Sequence, residues 1–382
     1  MLQIQFLDKN IADALVPAFS LKPKHLIFFY DRREINEHDI RNVRAAIEER
    51  LDNVVVGFMQ TDKYSVQEIR NTLLSCIDDF KEERICIDIT GGPDLMTATG
   101  LILSKEYDLQ VVYMNLSKGY IFDVNTGDKI ADVCHMSTDD YLTAIGAKHF
   151  KLSHSMPKEQ EFESICKVVE YLFEHISEWH ALHKYLSDKY AGSEGLDFDI
   201  TTNVIYNGHS YNSEEILSIF VDNGFATKKS HGRYKFANKK YKEYMTVFGI
   251  WLEMYIYIKS QGIFEETHLG YIIDWNNSDA EDTVDNEIDV LVVKKSIPIF
   301  ISCKMKKPDP MDVYEVAYLA DRLGGPKAKG IIATTYDVSD DKKLAKGIYQ
   351  RFKKMNVGFI ETSAFKTHTP AQIFNTALQG AE

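Results

Sequence analysis

The first 150 residues alternate short apolar stretches with amphipathic segments of helical length. The apolar stretches are typical of buried strands, predicted at Leu2–Leu7, His25–Tyr30, Val54–Met59, Ile85–Thr90 and Gln110–Leu116. Helical patterns at Asp39–Leu51 and Val66–Phe80 lie between them. Such alternation predicts a mainly parallel, doubly wound sheet. Ligands of these sheets bind beyond the carboxyl ends of the strands.

The pattern changes in the middle of the chain. Residues 158 to 190 carry apolar positions at helical spacing. A capped helix is predicted from Ser213 to Phe220, followed by a hairpin-like segment from Phe225 to Phe236. A helix followed by a hairpin predicts a small winged-helix-like connector, and a plain structural linker is an equal alternative. We therefore expect three domains, at residues 1–150, 151–236 and 237–382.

The last domain is predicted to open with one long helix, from about Asn238 to Lys259. Further strands and helices are predicted at His268–Trp275, Ile288–Val293, Ile297–Cys303, Met311–Leu323, Gly330–Thr334, Asp340–Lys354 and Val357–Ile360. An acidic loop, Asn276–Asp285, interrupts this series. Two of the strands are joined by a short turn and form a hairpin.

Charged residues meet at one end of that hairpin. Glu287 and Asp289 open its first strand and Lys304 closes its second, and residues two apart share a sheet face. Carboxylate oxygens suit Mg²⁺ or Mn²⁺, and a nearby lysine can orient water or stabilise phosphate charge. The pattern predicts phosphodiester hydrolysis; the alternative is a surface hairpin with scattered charges. Asp274 is a reserve metal ligand, and Lys306 and Lys307 are expected to contact phosphates.

A glycine turn follows the fourth predicted strand. Thr90-Gly91-Gly92-Pro93 leads directly into a helix whose first N–H groups attract phosphate. The turn lacks the GKS/T of a P-loop, and it does not follow the first strand as a GxGxxG dinucleotide turn would. A tight turn without a ligand is the alternative interpretation.

Composition refines these expectations. A chain of 382 residues with 45% hydrophobic residues is long and apolar enough for two or three packed domains. The net charge is −13, yet residues 228–382 hold 23 Lys and Arg against 20 Asp and Glu. Seven basic residues and interleaved aromatics between Lys228 and Lys242 predict nucleic-acid contact, or else an ordinary solvated surface.

The sequence also bears on location. No stretch is typical of a signal peptide or a membrane span, so we expect no membrane partner. The five cysteines are scattered and form no CxxC pair, which argues against zinc and disulfides. Both features are typical of a protein in a reducing cytoplasm.

The N-terminal region resembles the CARF domain, the Rossmann-like sensor of CRISPR systems. Thr90-Gly91-Gly92 matches the TGG of the family's fourth-strand loop, and the loops after the first two strands match in position. The resemblance implies a homodimer that shares one cyclic oligoadenylate, here cyclic tetra-adenylate. The residues implied to bind it are Lys9, Asn10, Tyr30, Asp31, Thr90, Gly91, Gly92, Pro93, Asp94 and Met96.

The C-terminal region resembles the PD-(D/E)xK nuclease core. That family often takes a further acid from a helix before the hairpin, which implies Glu253 as a metal ligand beside Glu287 and Asp289. Lys304 takes the place of the signature lysine. The signature acid two residues earlier is replaced by Ser302, and we expect Glu287 to supply the missing carboxylate.

Together the two resemblances cover nearly the whole chain and imply an ancillary nuclease of type III CRISPR defence. Binding of cyclic tetra-adenylate would activate metal-dependent cleavage of DNA, single-stranded RNA or both. Because Ser302 breaks the signature, the alternative is a ligand-responsive nucleic-acid-binding regulator with an inactive nuclease fold. A third possibility is slow cleavage of the cyclic ligand by the sensor itself.

Overall fold

A computed structural model describes residues 1–152, 157, 159–247, 249–275, 285–336, 347 and 350–380. The N-terminal part is a seven-stranded sheet. Its strands are β1 (Leu2–Leu7), β2 (His25–Tyr30), β3 (Val55–Gln60), β4 (Ile85–Asp88), β5 (Gln110–Asn115), β6 (Tyr120–Asp123) and β7 (Lys129–Asp132). They lie in the order β3-β2-β1-β4-β5-β6-β7, the first five parallel and the last two antiparallel. The predicted doubly wound sheet is confirmed.

Helices cover both faces of this sheet. They are α1 (Ile11–Leu21), α2 (Glu37–Arg50), α3 (Val66–Asp79), α4 (Asp94–Glu106) and α5 (Thr138–Ile145). Leu26 and Phe28 of β2 belong to one apolar core with α1 and α2, while Ile27 and Phe29 belong to the opposite core with α3 and α4. Successive side chains of a strand point to opposite faces, so a strand buried on both sides is continuously apolar.

The middle of the chain is built from short elements. They are β8 (Lys148–Leu152), α6 (Glu159–Glu174), α7 (Ile176–Tyr190), β9 (Asp197–Asp199), β10 (Asn203–Tyr206), β11 (His209–Asn212), α8 (Ser213–Asp222), β12 (Ala226–Ser230), β13 (Arg233–Phe236) and α9 (Lys239–Thr246). The order β12-β13-β9 forms a three-stranded antiparallel sheet, and β10 pairs with β11. The expected helix and hairpin are present, whereas β8 to β11 were not predicted because they are short and largely polar.

The C-terminal part is a six-stranded mixed sheet. Its remaining elements are α10 (Ile250–Ser260), β14 (Glu266–Asp274), β15 (Asp285–Lys294), β16 (Ile297–Lys304), α11 (Pro310–Gly324), β17 (Lys329–Thr334), β18 (Val357–Glu361) and α12 (Pro370–Gly380). The order is β18-β17-β16-β15-β14-β8, with β14, β15 and β16 antiparallel and β16, β17 and β18 parallel. Strand β8 pairs with β14, so it joins the edge of this second sheet rather than the first.

The single helix expected from Asn238 to Lys259 is wrong. Helix α9 ends at Thr246, Val247 is extended, and α10 begins after Gly249. Gly249 has a φ of +106°, which only glycine adopts at low cost, so the helical path breaks there. The continuous apolar spacing on both sides of the break conceals it in the sequence.

The connector and the C-terminal sheet share one apolar core. Trp179 of α7 lies against Phe220 of α8 and Trp251 of α10, with ring centroids 5.5 and 6.4 Å apart. Most of the predicted helix 340–354 and of the acidic loop 276–285 lies outside the described residues. Within the described part of the chain, no helix has both the length and the apolar character needed to cross a bilayer.

Candidate functional site

The first site is a cavity of about 510 Å³ at the carboxyl end of the N-terminal sheet. It is lined by residues after β1, β2, β3 and β4, which are Asp8, Lys9, Asn10, Glu34, Lys63, Tyr64, Gly92, Pro93, Asp94 and Leu95. The carboxyl ends of parallel strands share one edge, which explains why four loops converge there. The cavity carries two lysines beside three carboxylates.

The glycine turn brings the backbone close to β1. Gly92 has a φ of +93°, and a Cβ there would lie 2.8 Å from the carbonyl oxygen of Phe6. At Gly91 a Cβ would lie 2.8 Å from Cβ of Asp13. Pro93 caps α4 without a side-chain hydrogen bond, and its carbonyl oxygen accepts from the Met96 N–H at 2.9 Å, so the N–H groups of Asp94 and Leu95 are the ones a ligand could use.

Five of the predicted ligand-binding residues do not line this cavity. Asp31 is buried and accepts hydrogen bonds from Arg33 and from the backbone of Lys63, which holds the loops after β2 and β3 together. Thr90 donates its hydroxyl proton to Asp88 at 2.5 Å. The others are Tyr30, Gly91 and the fully buried Met96. The hydrogen bonds of Asp31 and Thr90 stabilise the loops that surround the cavity.

Five lining residues are absent from the predicted ligand-binding set. They are Asp8, Glu34, Lys63, Tyr64 and Leu95. Lys63 forms an ion pair with Glu34, which raises the pKa of the lysine. Three of the five follow β2 and β3, whose ends the fold places beside those of β1 and β4. Strand order was the signal that could have found them.

The second site lies at the open end of the β15–β16 hairpin. Asp289 Oδ2 accepts a hydrogen bond from the Cys303 backbone N–H at 2.6 Å and lies 3.4 Å from the Ser302 hydroxyl. Burial is the main cause that raises the pKa of Asp289 to about 6. The neighbouring Lys304 acts in the opposite direction. The predicted pairing of Asp289 with the end of β16 is present.

Glu253 approaches this hairpin from the first turn of α10. Its helix packs against β14, β15 and β16. Burial raises the pKa of Glu253, and the charges of Asp289 and then Glu287 raise it further, while Lys304 lowers it. Four charged groups named from the sequence are therefore close enough to affect one another. The break at Gly249 is what puts Glu253 at a helix start.

A small cavity of about 60 Å³ opens between the hairpin and α11. Its polar lining is Glu287, Asp289, Ser302, Lys304 and Glu315. Lys304 Nζ lies 3.5 Å from Asp312 Oδ1 in the first turn of α11. Neither Asp312 nor Glu315 was named from the sequence.

The carboxylate oxygens at the hairpin can be compared with the ligands that a metal ion requires. Among the residues the structure describes, no three Asp, Glu, His or Cys side chains are arranged to hold a metal. Mg²⁺, however, usually retains several waters and binds through one or two carboxylates. The hairpin offers carboxylate oxygens, the donors that Mg²⁺ and Mn²⁺ prefer. The residues therefore fit a hydrated ion.

Asp274, Lys306 and the basic run between Lys228 and Lys242 were the other candidates for metal or phosphate binding. Asp274 is fully buried opposite Asp285 in the sheet, and Lys306 pairs with Asp309 and Asp312. Of the basic run, Lys242 is buried against Ser193 and Gly195, so its expected phosphate contact is wrong. Internal partners also hold other members of the run: Lys228 with Glu214, Arg233 with Asp199 and Lys240 with Glu161.

Known proteins with this fold were found by comparison of structures. No protein-family model matches the chain, and no curated protein does. Protein VC1899 from Vibrio cholerae has a TM-score of 0.81 at 17% identity, covering 100% of this chain and 98% of its own. Can2 from Sulfobacillus thermosulfidooxidans, solved in complex with cyclic tetra-adenylate, has a TM-score of 0.72 at 16% identity, covering 100% and 99%.

A third structure is a type III CRISPR defence DNA nuclease activated by cyclic oligoadenylate. Its TM-score is 0.53 at 13% identity, and the match covers 87% of this chain but 45% of that one. At these identities the likeness concerns architecture. The chain therefore shares, over its whole length, the fold of VC1899 and Can2.

Proposed function

We propose that this protein is a cyclic oligoadenylate-activated, metal-dependent endonuclease of type III CRISPR defence. The observation that carries the proposal is that Asp289, Glu287 and Lys304 line one cavity at the open end of the hairpin, while Glu253 of α10 is near enough for their charges to shift its pKa. Carboxylates beside a lysine suit hydrolysis of a phosphodiester. The fold shared with a defence DNA nuclease supports the same reaction class.

The residues of the hairpin site have separate roles in the proposed reaction. Of Glu253, Glu287 and Asp289, one or two would bind a hydrated Mg²⁺ or Mn²⁺ ion directly and the others would contact its waters. The ion supplies activated water and neutralises phosphate charge when bound. The Cys303 N–H fixes one oxygen of Asp289 and leaves the other for the ion. Lys304 orients the attacking water or stabilises the charge that develops on the phosphate. DNA, single-stranded RNA or both would be substrates.

The N-terminal cavity is the proposed activator site, and cyclic tetra-adenylate is the proposed ligand. Can2, of the same fold, was solved with that molecule. The uncapped start of α4 and Lys9 and Lys63 supply N–H groups and positive charge for its phosphates. The proposed site includes Asn10, Gly92, Pro93 and Asp94 from the lining. Asp31 and Thr90 stabilise the surrounding loops through their hydrogen bonds, and Tyr30, Gly91 and Met96 lie outside the lining.

The active form is proposed to be a homodimer. Helix α4 begins at the cavity and exposes an apolar stripe of Leu95, Ala98 and Ile102, with Ile102 57% exposed. Residues at this spacing lie on one side of a helix. An exposed apolar stripe beside the activator site suits a second copy of the chain. The ligand would favour the dimer state it binds more tightly.

One alternative has its own supporting observation. Ser302 stands where the nuclease signature has an acid, which suits a regulator that binds nucleic acid on ligand binding without cutting it. Lys229 and Lys239 at the basic hairpin and α9 are exposed and could contact phosphates. A location in the cytoplasm is common to both candidates.

The test is incubation of the purified protein with supercoiled plasmid and with single-stranded RNA, with Mg²⁺ or Mn²⁺ and with or without cyclic tetra-adenylate. Cleavage that requires both metal and activator is the expected result, and it also identifies the substrate. Activator binding without cleavage under any condition would favour the regulator.

A further inference from the structure

Position 302 of β16 contributes only the hydroxyl of Ser302, 3.4 Å from Asp289 Oδ2. That same oxygen is already engaged by the Cys303 N–H at 2.6 Å. Beside Asp289, the hairpin brings the carboxylate of Glu287 to the small cavity at its open end. A third carboxylate in the lining of that cavity comes from outside β15 and β16.

Helix α11 is held against this end of the hairpin. Asp309 and Asp312 form a reciprocal capping box at its start, in which Asp312 Oδ2 accepts from the Asp309 N–H at 2.8 Å. The other oxygen of Asp312 faces Lys304 Nζ at 3.5 Å. Val313 and Val316 bury the inner side of the helix in the sheet core. The first turns of α11 are thus placed precisely beside Lys304.

One residue of this helix reaches the metal-binding side of the hairpin. Glu315 lies three positions after Asp312, a spacing that puts both on the same side of α11. It lines the cavity of about 60 Å³ together with Glu287, Asp289, Ser302 and Lys304. Glu315 is therefore the carboxylate of α11 that shares a cavity with the hairpin site.

We propose that Glu315 is a further metal-binding residue and supplies, from α11, the carboxylate that position 302 lacks. The inference rests on the proposed metal-dependent nuclease. Glu315 is exposed, so its side chain can turn toward Asp289 without disturbing the core. Glu287 and Asp289 of the hairpin and Glu315 of α11 line the same cavity, and a hydrated Mg²⁺ or Mn²⁺ ion needs direct bonds to one or two carboxylates of such a set.

The first test measures metal binding directly. Titration calorimetry with Mg²⁺ and the electron paramagnetic resonance signal of free Mn²⁺ report affinity without any cleavage assay. Glu315→Gln keeps the size of the side chain and should weaken binding by at least about tenfold, since ligand charge tunes affinity. Glu243→Gln removes an exposed acid from α9 and serves as the matched control, with affinity expected to stay at the wild-type value.

The second test places a glutamate at position 302 of β16 in a variant that lacks the carboxylate of Glu315. In the Glu315→Gln background, Ser302→Glu should restore Mn²⁺ binding and, where the wild type cleaves, activator-dependent cleavage. Wild-type Mn²⁺ affinity in Glu315→Gln would overturn the inference, as would a wild-type protein that binds no Mn²⁺. A wild type that binds metal but cuts nothing would refute the nuclease proposal alone, and the comparison of affinities would still decide the role of Glu315.

Discussion

Asp13 of α1 and Lys327, just after α11, form an ion pair between residues 314 positions apart in the chain. Asp13 also accepts a hydrogen bond from Asn10 Nδ2 at 2.6 Å, and Asn10 lines the N-terminal cavity. The other end of α11 contacts Lys304 through Asp312. The segment from α11 to Lys327 therefore contacts the hairpin site directly and the N-terminal cavity through Asp13 and Asn10.

This arrangement predicts that Lys327→Ala uncouples the sites. The variant should bind cyclic tetra-adenylate nearly as the wild type does, but need more activator for the same cleavage rate. The stability cost should be small, about 1 kcal/mol, because Lys327 is partly exposed. The variant is titrated with activator, and calorimetry measures binding while the cleavage rate measures activation. The exposed Lys366→Ala is the control. Parallel loss of binding and cleavage would contradict coupling through this pair.

Asp289→Asn should reduce cleavage by at least about 100-fold, because the ion loses an anionic ligand while the shape of the side chain is kept. The amide oxygen can still accept from the Cys303 N–H, so the fold should be preserved. Activator binding should be unchanged. A plasmid-nicking rate close to that of the wild type would remove Asp289 from the site.

The glycine turn offers a paired test of steric fit. Gly92→Ala combines a positive φ with a collision against the Phe6 backbone, so it should abolish activator binding and destabilise the domain by about 1–3 kcal/mol. Gly127→Ala also has a positive φ, yet nothing lies within 4 Å of the added methyl group. It should cost about 1 kcal/mol and leave binding intact. Equal effects of the two variants on binding would show that the close approach at Gly92 is unimportant.

The exposed stripe of α4 predicts the effect of Ile102→Glu. A charge placed in an apolar contact between copies should shift the protein toward a monomer, measured by light scattering at several concentrations. Because the ligand is proposed to bind across the dimer, activator affinity should fall as well. The surface change Ile130→Glu, on the partly exposed strand β7, is the control. A dimer of unchanged stability in Ile102→Glu would place the interface elsewhere.

Asp88 predicts a pH dependence of stability. Burial raises its pKa to about 6, although Thr90 and Gln5 donate hydrogen bonds to it. Between the unfolded pKa near 4 and the folded one, the native state holds the extra proton, so the free energy of unfolding falls as pH rises. The contribution is complete below about pH 4 and lost above about pH 6, and amounts to about 3 kcal/mol.

Asp88→Asn should remove that component of the pH dependence. Urea unfolding of both proteins between pH 4 and 7.5 gives the free energy of unfolding at each pH. The difference between the two slopes against pH is the contribution of Asp88. Gln5 Oε1 is buried and has no hydrogen-bond partner among the described residues, so a turned Gln5 amide can accept from the new side chain. Identical slopes for the two proteins would show that Asp88 does not titrate in this window.

The local pattern of hydrophobic and polar positions was sufficient to predict most of the strands and helices. Strands such as β2 are apolar on both faces, and that property alone distinguishes them from amphipathic helices. Short elements were harder, since β8 has only five residues and is stabilised by its partner β14 rather than by its own composition. The break at Gly249 was missed because periodicity carries no information about a single backbone angle.

What the sequence by itself determined is most strands of the two large sheets and the positions of Asp289, Lys304 and the glycine turn at strand ends, because strand periodicity and residue type are local properties. The tertiary structure decided which groups meet. It placed Glu34 and Lys63 at the N-terminal cavity and Glu315 in one cavity with Asp289, although Glu315 lies 26 positions further along the chain. Those contacts depend on strand order and on the packing of α11, which no window of sequence contains.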